Sequence, residues 1–311
     1  MSKMDWGNIF NGSLVYATWR SATPVIYAAL AAVITQQANI LNIGTEGTML
    51  MGAFTAVAVS YTTGSWLLGV LVAMLAGLLM AGIMAVGSIR YKADINAIGI
   101  GINMLSLAVT KFLLNVVVGA QGTFSDPAIK PIPRVNIPFL AKVPLLDTIF
   151  NGWALTEWLV IVLIIAMTYG LYRTRWGLRL RAVGFNEQAP FSLGINTDKI
   201  KYQAMLISGL IGGLAGAHLS LGYSRLFTEN MTNNRGFVAV AAMFFGGANP
   251  LLTTVGTLIF GFTDSVGGRL QAYGFPSQII LAMPYIATIV ILSISMINKK
   301  RLDKQRKTSL S

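Results

Sequence analysis

Of 311 residues, 54% are apolar and only 11% are charged, less than half of the roughly 25% charge that a soluble domain carries. The chain is therefore expected to sit in a membrane. Its net charge of +12 would suit nucleic acid only if the basic residues shared a solvated, folded surface. Instead they cluster between apolar runs, at Arg173, Arg175, Arg179, Arg181, Lys199 and Lys201, and again at Lys299, Lys300, Arg301, Lys304, Arg306 and Lys307. That is the pattern of cytoplasmic segments in a membrane protein, and nucleic acid is excluded as a partner. The absence of cysteine removes disulfides, thiolate metal sites and cysteine nucleophiles. Residues 1–12 lack the basic-then-apolar plan of a cleaved signal peptide, so none is expected.

In chain order, residues 14–35 read as a first span, with Pro24 expected to kink it. A polar, glycine-containing break follows over residues 36–47. Residues 49–61 and 66–88 read as two further spans, joined by a turn at Thr62, Thr63, Gly64 and Ser65. Arg90 and Lys92 make a short basic loop, and residues 94–118 return across the membrane carrying Asp94, Asn96, Asn103 and Lys111. Five prolines between residues 121 and 153 forbid a continuous helix. That stretch, bounded at 122–153, is expected to be an external loop. Residues 155–172 cross back to a basic cytoplasmic loop at 173–201, and residues 202–221 leave again. Residues 236–245 re-enter, Gly246, Gly247, Ala248, Asn249 and Pro250 break the helix, residues 251–266 go out, and residues 275–297 return to a basic tail at 299–311. The expectation is one all-α transmembrane domain over residues 1–311, a polytopic bundle of about nine helices, some broken, each needing about 20 apolar residues to span. Alternation from the two basic anchors puts the carboxyl terminus in the cytoplasm and the amino terminus outside.

Two segments echo each other, residues 42–54 and 233–245, each a polar, glycine-containing start running into a helix of small residues. Interrupted segments at matching places in two halves mark inverted-repeat transporters. Glu46, between two membrane-length apolar runs, has two readings: an exposed cytoplasmic turn, or part of an unwound segment that lines a polar cavity and offers hydrogen bonds together with Asn42. Asn96 and Asn103 are seven apart and share a helix face; such amides either bridge helices or face a solute. Arg235 is placed nearer the outer mouth. Asp264 and Arg269 read as a helix-to-helix contact, and His218, the single histidine, as structural, since one histidine makes no metal site. Gly212 and Gly216 have the spacing that lets helix backbones approach.

No Gly-x-x-x-x-Gly-Lys-Ser/Thr sequence occurs and no nucleophile stands beside a base. Catalytic and metal-binding residues are thus not expected, and energy must come from a gradient or from another subunit. The basic loop carries Trp176, Leu178, Leu180, Val183, Phe185, Phe191 and Leu193 among its charges. Asn186 can cap a short helix with Glu187 in its first turn, and Gly194 can end it. An exposed amphipathic helix beside a basic turn suits a knob for a cytoplasmic partner; the alternative is a loop lying on the headgroups.

The stretch Leu41-Asn42-Ile43-Gly44-Thr45-Glu46-Gly47 with Met49-Leu50-Met51-Gly52-Ala53-Phe54 resembles the signature of permease subunits of bacterial ATP-binding-cassette importers of the ribose, branched-chain amino-acid and nucleoside type. Residues 173–195, with Ala182-Val183-Gly184, Asn186 and Gly194-Ile195-Asn196, resemble the coupling loop of that family. Residues 227–250, with Met231-Thr232, Arg235-Gly236-Phe237 and the break at Gly246 to Pro250, resemble its third motif, and Met283-Pro284-Tyr285 its last. The fuller Asn-Ile-Gly-x-Glu-Gly form is most similar to the shorter of the two permeases in nucleoside importers. The resemblance implies a bacterial cytoplasmic (inner) membrane protein in a heterodimer with a paralogous permease. It implies two cytoplasmic ATPase subunits that bind the ATP, no cofactor on this chain, and an extracellular substrate-binding lipoprotein that delivers a nucleoside. Asn42, Glu46, Asn96, Asn103 and Arg235 would line the pathway. Arg175, Gly177, Arg181, Gly184, Asn186, Glu187 and Gly194 would couple to the ATPase. Asp94-Ile95-Asn96 and Glu229 depart from the family pattern and bear on substrate identity, leaving a pentose or other sugar as the alternative substrate. A gradient-driven transporter using Glu46 or Asp264 as an ion carrier is the alternative mechanism.

Overall fold

The computed structural model of the chain describes residues 12–136, 147–148, 150–272 and 286. Helix α1 (Gly12–Gln37) is the axis of the bundle, because every residue from Ser21 to Thr35 along it is buried, as expected for a helix that is apolar on all sides. It stays helical through Pro24, where the sequence led us to expect a kink, with the Thr23 hydroxyl donating to the Trp19 carbonyl beside it. Against α1 pack α2 (Thr45–Thr63), α5 (Leu155–Arg173), α8 (Thr197–Ala217) and α10 (Pro250–Ala272), while α3 (Trp66–Ala85) packs on α2 and α8, and α4 (Ile95–Leu113) on α2. Three of these end in π-helical turns, Val86–Arg90 after α3, Leu114–Val118 after α4 and His218–Ser224 after α8. With those turns, α3, α4, α5 and α8 each have the length and apolar character to cross a bilayer. Leu67, Leu71, Leu75 and Leu79 form an exposed stripe along α3, and Val162, Ile165 and Tyr169 another on α5. Stripes of this size belong against hydrocarbon. The chain is a multi-pass membrane protein.

Glycine sets how closely the helices pack. On α8, a Cβ at Gly216 would fall within the Met49 carbonyl of α2, and one at Gly213 within the Ala73 carbonyl of α3. Gly209 faces Gly77 and Ala81 of α3 in the same way. So α8 presents two small-residue faces, 212/216 to α2 and 209/213 to α3, where the sequence had suggested the first alone.

The turn at Gly64 and Ser65 forms as expected, with Gly64 at a φ of 67° and the Ser65 hydroxyl oxygen accepting from Leu68 N at 3.4 Å to cap α3. The long loop is not free: β1 (Thr123–Phe124) pairs antiparallel with β4 (Phe227–Thr228), and β2 (Arg134–Val135) with β3 (Trp153–Ala154). Glu229 locks the first pair. Its carboxylate accepts from Gly122 N at 3.1 Å and lies 3.3 Å from Lys111 Nζ. The Gly122 amide, and then Lys111, hold its carboxyl below the ordinary value. A depressed carboxyl stabilises the folded form above its unfolded pKa and loses that effect as pH falls through the folded one. Protection of the amides of residues 122–124, taken relative to the intrinsic exchange rate at each pH, is therefore expected to fall only below about pH 4.3, the ordinary glutamate value, and Glu229→Gln to lower it at neutral pH.

One correction concerns the basic stretch. Residues 175–185, expected as a loop, form an amphipathic helix α6 (Arg175–Phe185), followed by α7 (Gln188–Ser192). The segment expected to re-enter at 236–245 is helical as expected, forming α9 (Arg235–Phe245). At 11 residues it is about 16 Å long, half the thickness of a bilayer core. The expected last span at 275–297 lies outside the described residues apart from Ile286, and so does the tail.

Candidate functional site

The first break, residues 38–44, leaves α2 to begin at Thr45 with no side-chain cap from Gly44. The orphan N–H groups of a helix start need other partners, and α4 supplies one. Asn103 accepts from Gly47 N at 2.7 Å through Oδ1 and donates to the Ile43 carbonyl at 3.1 Å through Nδ2. Asn42 is buried and donates to Ser208 Oγ of α8 at 3.1 Å.

Glu46 is only 7% exposed, which removes the reading as an exposed turn. Both its oxygens are engaged: Oε1 accepts from Asn234 N at 2.9 Å and Oε2 from Gly236 N at 2.6 Å. These N–H groups open α9, whose start has no side-chain cap of its own. A Cβ at Gly236 would meet Glu46 Cα at 2.6 Å, so glycine is required for the carboxylate to reach the helix end. From this point α2 runs to Thr63, and α9 runs to a turn where Gln37 Nε2, at the end of α1, donates to the Ala248 carbonyl at 2.7 Å. Two broken helices thus point their positive ends at one carboxylate, the arrangement that helix dipoles favour. Asn103 lies about 12 Å along α4 from its start and Ser208 about 16 Å along α8, which puts the cluster near the middle of a core about 30 Å thick.

Three buried polar atoms have no hydrogen-bond partner among the described residues in these elements: Asn42 Oδ1, Ser106 Oγ one turn beyond Asn103, and Thr232 Oγ1 just before α9. Arg235 is half-buried and donates to the Met231 carbonyl at 3.3 Å, and no carboxylate pairs with it among the described residues. Asn96 is apart from this cluster, exposed at the start of α4, where Asp94 Oδ1 caps the helix by accepting from Asn96 N and Ala97 N. Asp264 accepts from Ser21 Oγ of α1 and Arg269 donates to Ser13 Oγ, helix-to-helix contacts as the sequence suggested. His218 is fully buried, its Nδ1 2.6 Å from Thr156 Oγ1.

In the segment expected to couple, Thr174 caps α6 by accepting from Gly177 N at 3.1 Å. Gly177 packs on the carbonyls of Gly170 and Leu171, and Gly184 on the carbonyl of Gln37, each too close for a Cβ. With Leu180 and Val183 buried, these residues form the inner face of α6 at helical spacing. Arg181 stacks over Tyr172, its guanidinium 4.9 Å from the ring centre. Arg175 is exposed. Asn186 ends α6, and its Oδ1 accepts from Gln188 N at 3.0 Å to open α7. Gly194, at a φ of 75°, turns the chain back, and Glu187 pairs with Lys201 at 2.7 Å. What remains outward is apolar: Phe185, Phe191 and Leu193 are 95%, 70% and 80% exposed. They lie on the segment that Glu187 ties to Lys201 in the first turns of α8. A cavity of about 410 Å³ between this segment and the first break is lined by Asn39, Lys92, Glu187, Asp198 and Lys201 among others.

Residues 14–294 match the family described as branched-chain amino acid transport system / permease component. The chain is 36% identical over 291 residues to the guanosine ABC transporter permease protein NupQ of Bacillus subtilis, covering 90% of this chain and 91% of that one. It is 34% identical over 285 residues to the nucleoside ABC transporter permease protein NupC of Lactococcus lactis, covering 88% and 89%. To a putative glucose ABC transporter permease protein of Haloferax volcanii it is 30% identical over 312 residues, covering 93% of each. No solved structure matches the chain. A multi-pass helical bundle with two broken helices, matched over nine-tenths of its length, the chain belongs to the permease family of ATP-binding-cassette transporters.

Proposed function

We propose that the chain is one of two permeases in an ATP-driven importer that carries a nucleoside across the bacterial cytoplasmic membrane. The observation that carries this reading is its likeness, along nine-tenths of its length, to two permeases named for guanosine and nucleosides. Its partners are a paralogous permease, cytoplasmic ATPase subunits that bind the ATP, and an extracellular substrate-binding lipoprotein. The amino terminus is outside and the carboxyl terminus inside. A sugar is the second reading, favoured by the likeness to the putative glucose permease. Uptake of a labelled nucleoside in competition with a panel of nucleosides and pentoses separates the two. Competition by nucleosides alone is expected, and competition by pentoses alone contradicts the assignment.

The pathway runs past the meeting point of the broken helices. Asn42 and Asn103, with the unpartnered oxygens of Asn42, Ser106 and Thr232, offer a neutral polar lining that suits an uncharged solute. Glu46 holds that lining in shape, Arg235 faces the outer side, and Asn96 stands at the inner mouth. A gradient-driven mechanism that uses Glu46 as its ion carrier is disfavoured because both of its oxygens already accept from backbone amides at the start of α9.

Coupling uses the outward side of residues 185–194. Gly177 and Gly184 seat the helix, Arg175 and Arg181 flank it, and Asn186, Glu187 and Gly194 shape the knob that enters an ATPase groove. Alternating access follows when ATP-driven closure of the ATPases shifts this knob. Replacing Asn186 and Glu187 together with alanine is expected to cut uptake about tenfold or more while membrane levels stay near normal, since the exposed Glu187 pair is worth at most about 1 kcal/mol. Uptake assays beside immunoblots of the membrane fraction check this.

A further inference from the structure

We propose that Gln37 is the positioning residue that carries movement of the coupling helix to the Glu46 clamp at mid-membrane. This deepens the coupling role given above to residues 185–194 and rests on it. The reason is where Gln37 sits. It is the last residue of α1, directly before the first break, and its backbone carbonyl is the seat of Gly184 on α6. Its side chain reaches 211 residues along the chain to donate to the Ala248 carbonyl at 2.7 Å, in the turn at the inner end of α9. One residue therefore touches the coupling helix, the first break and the second.

A parallel strut ends beside it. Arg181 of α6 lies over the Tyr172 ring, and the Tyr172 hydroxyl accepts from Asn249 Nδ2 at 3.3 Å. Adjacent residues, Ala248 and Asn249, thus receive both connections from α6. Gly247 and Ala248 both hold positive φ, 57° and 56°, and the turn they form is tied to α9 through Ala248 N, which donates to the Met243 carbonyl at 3.0 Å. From there α9 is a rod of 11 residues whose far end donates Asn234 N and Gly236 N to Glu46. A shift of α6 then moves the inner end of α9, and the rod transmits it to the carboxylate from which α2 also starts. Coupling over such distances can be carried by a chain of packed and hydrogen-bonded contacts that has two discrete arrangements.

The test uses the full transporter, with its ATPase, second permease and binding subunits, reconstituted in liposomes, measuring ATP hydrolysed per nucleoside taken up. Gln37→Met keeps the length and removes the donor. It is expected to assemble and hydrolyse ATP, while the ATP used per solute rises about tenfold, within the range of typical coupling energies. Gln37→His, which restores an N–H donor, is expected to bring the ratio back toward the parent. An unchanged ratio in Gln37→Met, whether both rates are normal or both fall together, overturns the proposal. If Gln37→Met fails to assemble, Gln37→Asn, which keeps the amide but is one methylene too short for the Ala248 carbonyl, is read by the same ratio, and an unchanged value there overturns the proposal equally. Phe191→Asp on the coupling face separates this from the reading beneath it. Normal uptake in Phe191→Asp defeats the coupling face itself, whereas lost uptake there with an unchanged ratio in Gln37→Met defeats only the role of Gln37.

Discussion

Glu46→Ala is expected to abolish uptake and to lower the apparent melting temperature of the detergent-solubilised protein more than any other single polar substitution in the pathway. The alanine takes their acceptor from the buried Gly236 amide and the part-buried Asn234 amide, now satisfied at 2.6 and 2.9 Å. Each unsatisfied buried donor costs about 1–3 kcal/mol, and breaking a buried charged contact typically costs about 3–5 kcal/mol in all. Helix α9 also loses the anion at its positive end. Glu46→Gln keeps the shape and one acceptor oxygen but turns an NH₂ toward the other amide, so it should fall between parent and alanine in both melting and uptake. The order parent, glutamine, alanine is the diagnostic feature, read by thermal unfolding and by transport on the same preparations. If alanine melts with the parent, this carboxylate does not hold the two broken helices together.

A comparable loss is expected from Gly213→Leu or Gly216→Leu, by a different route. Neither position faces a side chain that could rotate away. A Cβ at Gly213 runs into the Ala73 carbonyl, and one at Gly216 into the Met49 carbonyl and, at 2.5 Å, the Ala53 amide. Helix axes must separate to make room, forfeiting the close packing that holds membrane helices together without a hydrophobic driving force between them. Overpacking of this kind costs at least about 3 kcal/mol when backbone is the obstacle, enough to empty the membrane fraction of folded protein. Two milder changes calibrate the result. At Gly212 the obstacle is the Thr48 side chain, and at Gly82 the nearest atom is Leu206 Cδ2 at an ordinary 3.7 Å. Gly212→Ala should therefore lower membrane yield modestly and Gly82→Ala not at all, measured by fluorescence-detected size exclusion of tagged protein.

How much of this was legible in the sequence depends on whether the relevant group has a side-chain signature. The breaks at residues 38–44 and 246–250 were legible, because glycine, asparagine and proline interrupt otherwise unbroken apolar runs. Glu46 stood out as a carboxylate between two such runs. Its partners did not, since backbone N–H groups at the start of α9 carry no mark in the sequence, and Gly236, the residue that lets the carboxylate in, looks like any glycine in a small-residue helix. The echo between residues 42–54 and 233–245 was visible as a pattern, and its physical content, two helix starts sharing one anion, needed the fold. Helix α6 was missed because Arg175, Arg179 and Arg181 dominate its composition. Gly177, Leu180, Val183 and Gly184, spaced three and four apart, held the amphipathic signal. Gln37 had no signal of any kind, being one amide of a pair whose partner lies 211 residues away. The last expected span lies beyond the described residues.

The account turns on residues 185–194 facing the cytoplasm and meeting an ATPase there. Because the chain has no cysteine, Phe191→Cys gives a single reactive site on the exposed face without removing any native thiol. A membrane-impermeant maleimide should label it in inside-out vesicles and not in intact cells, and added ATPase subunits should protect it. Labelling in intact cells, or equal labelling with and without the ATPase, would contradict the account.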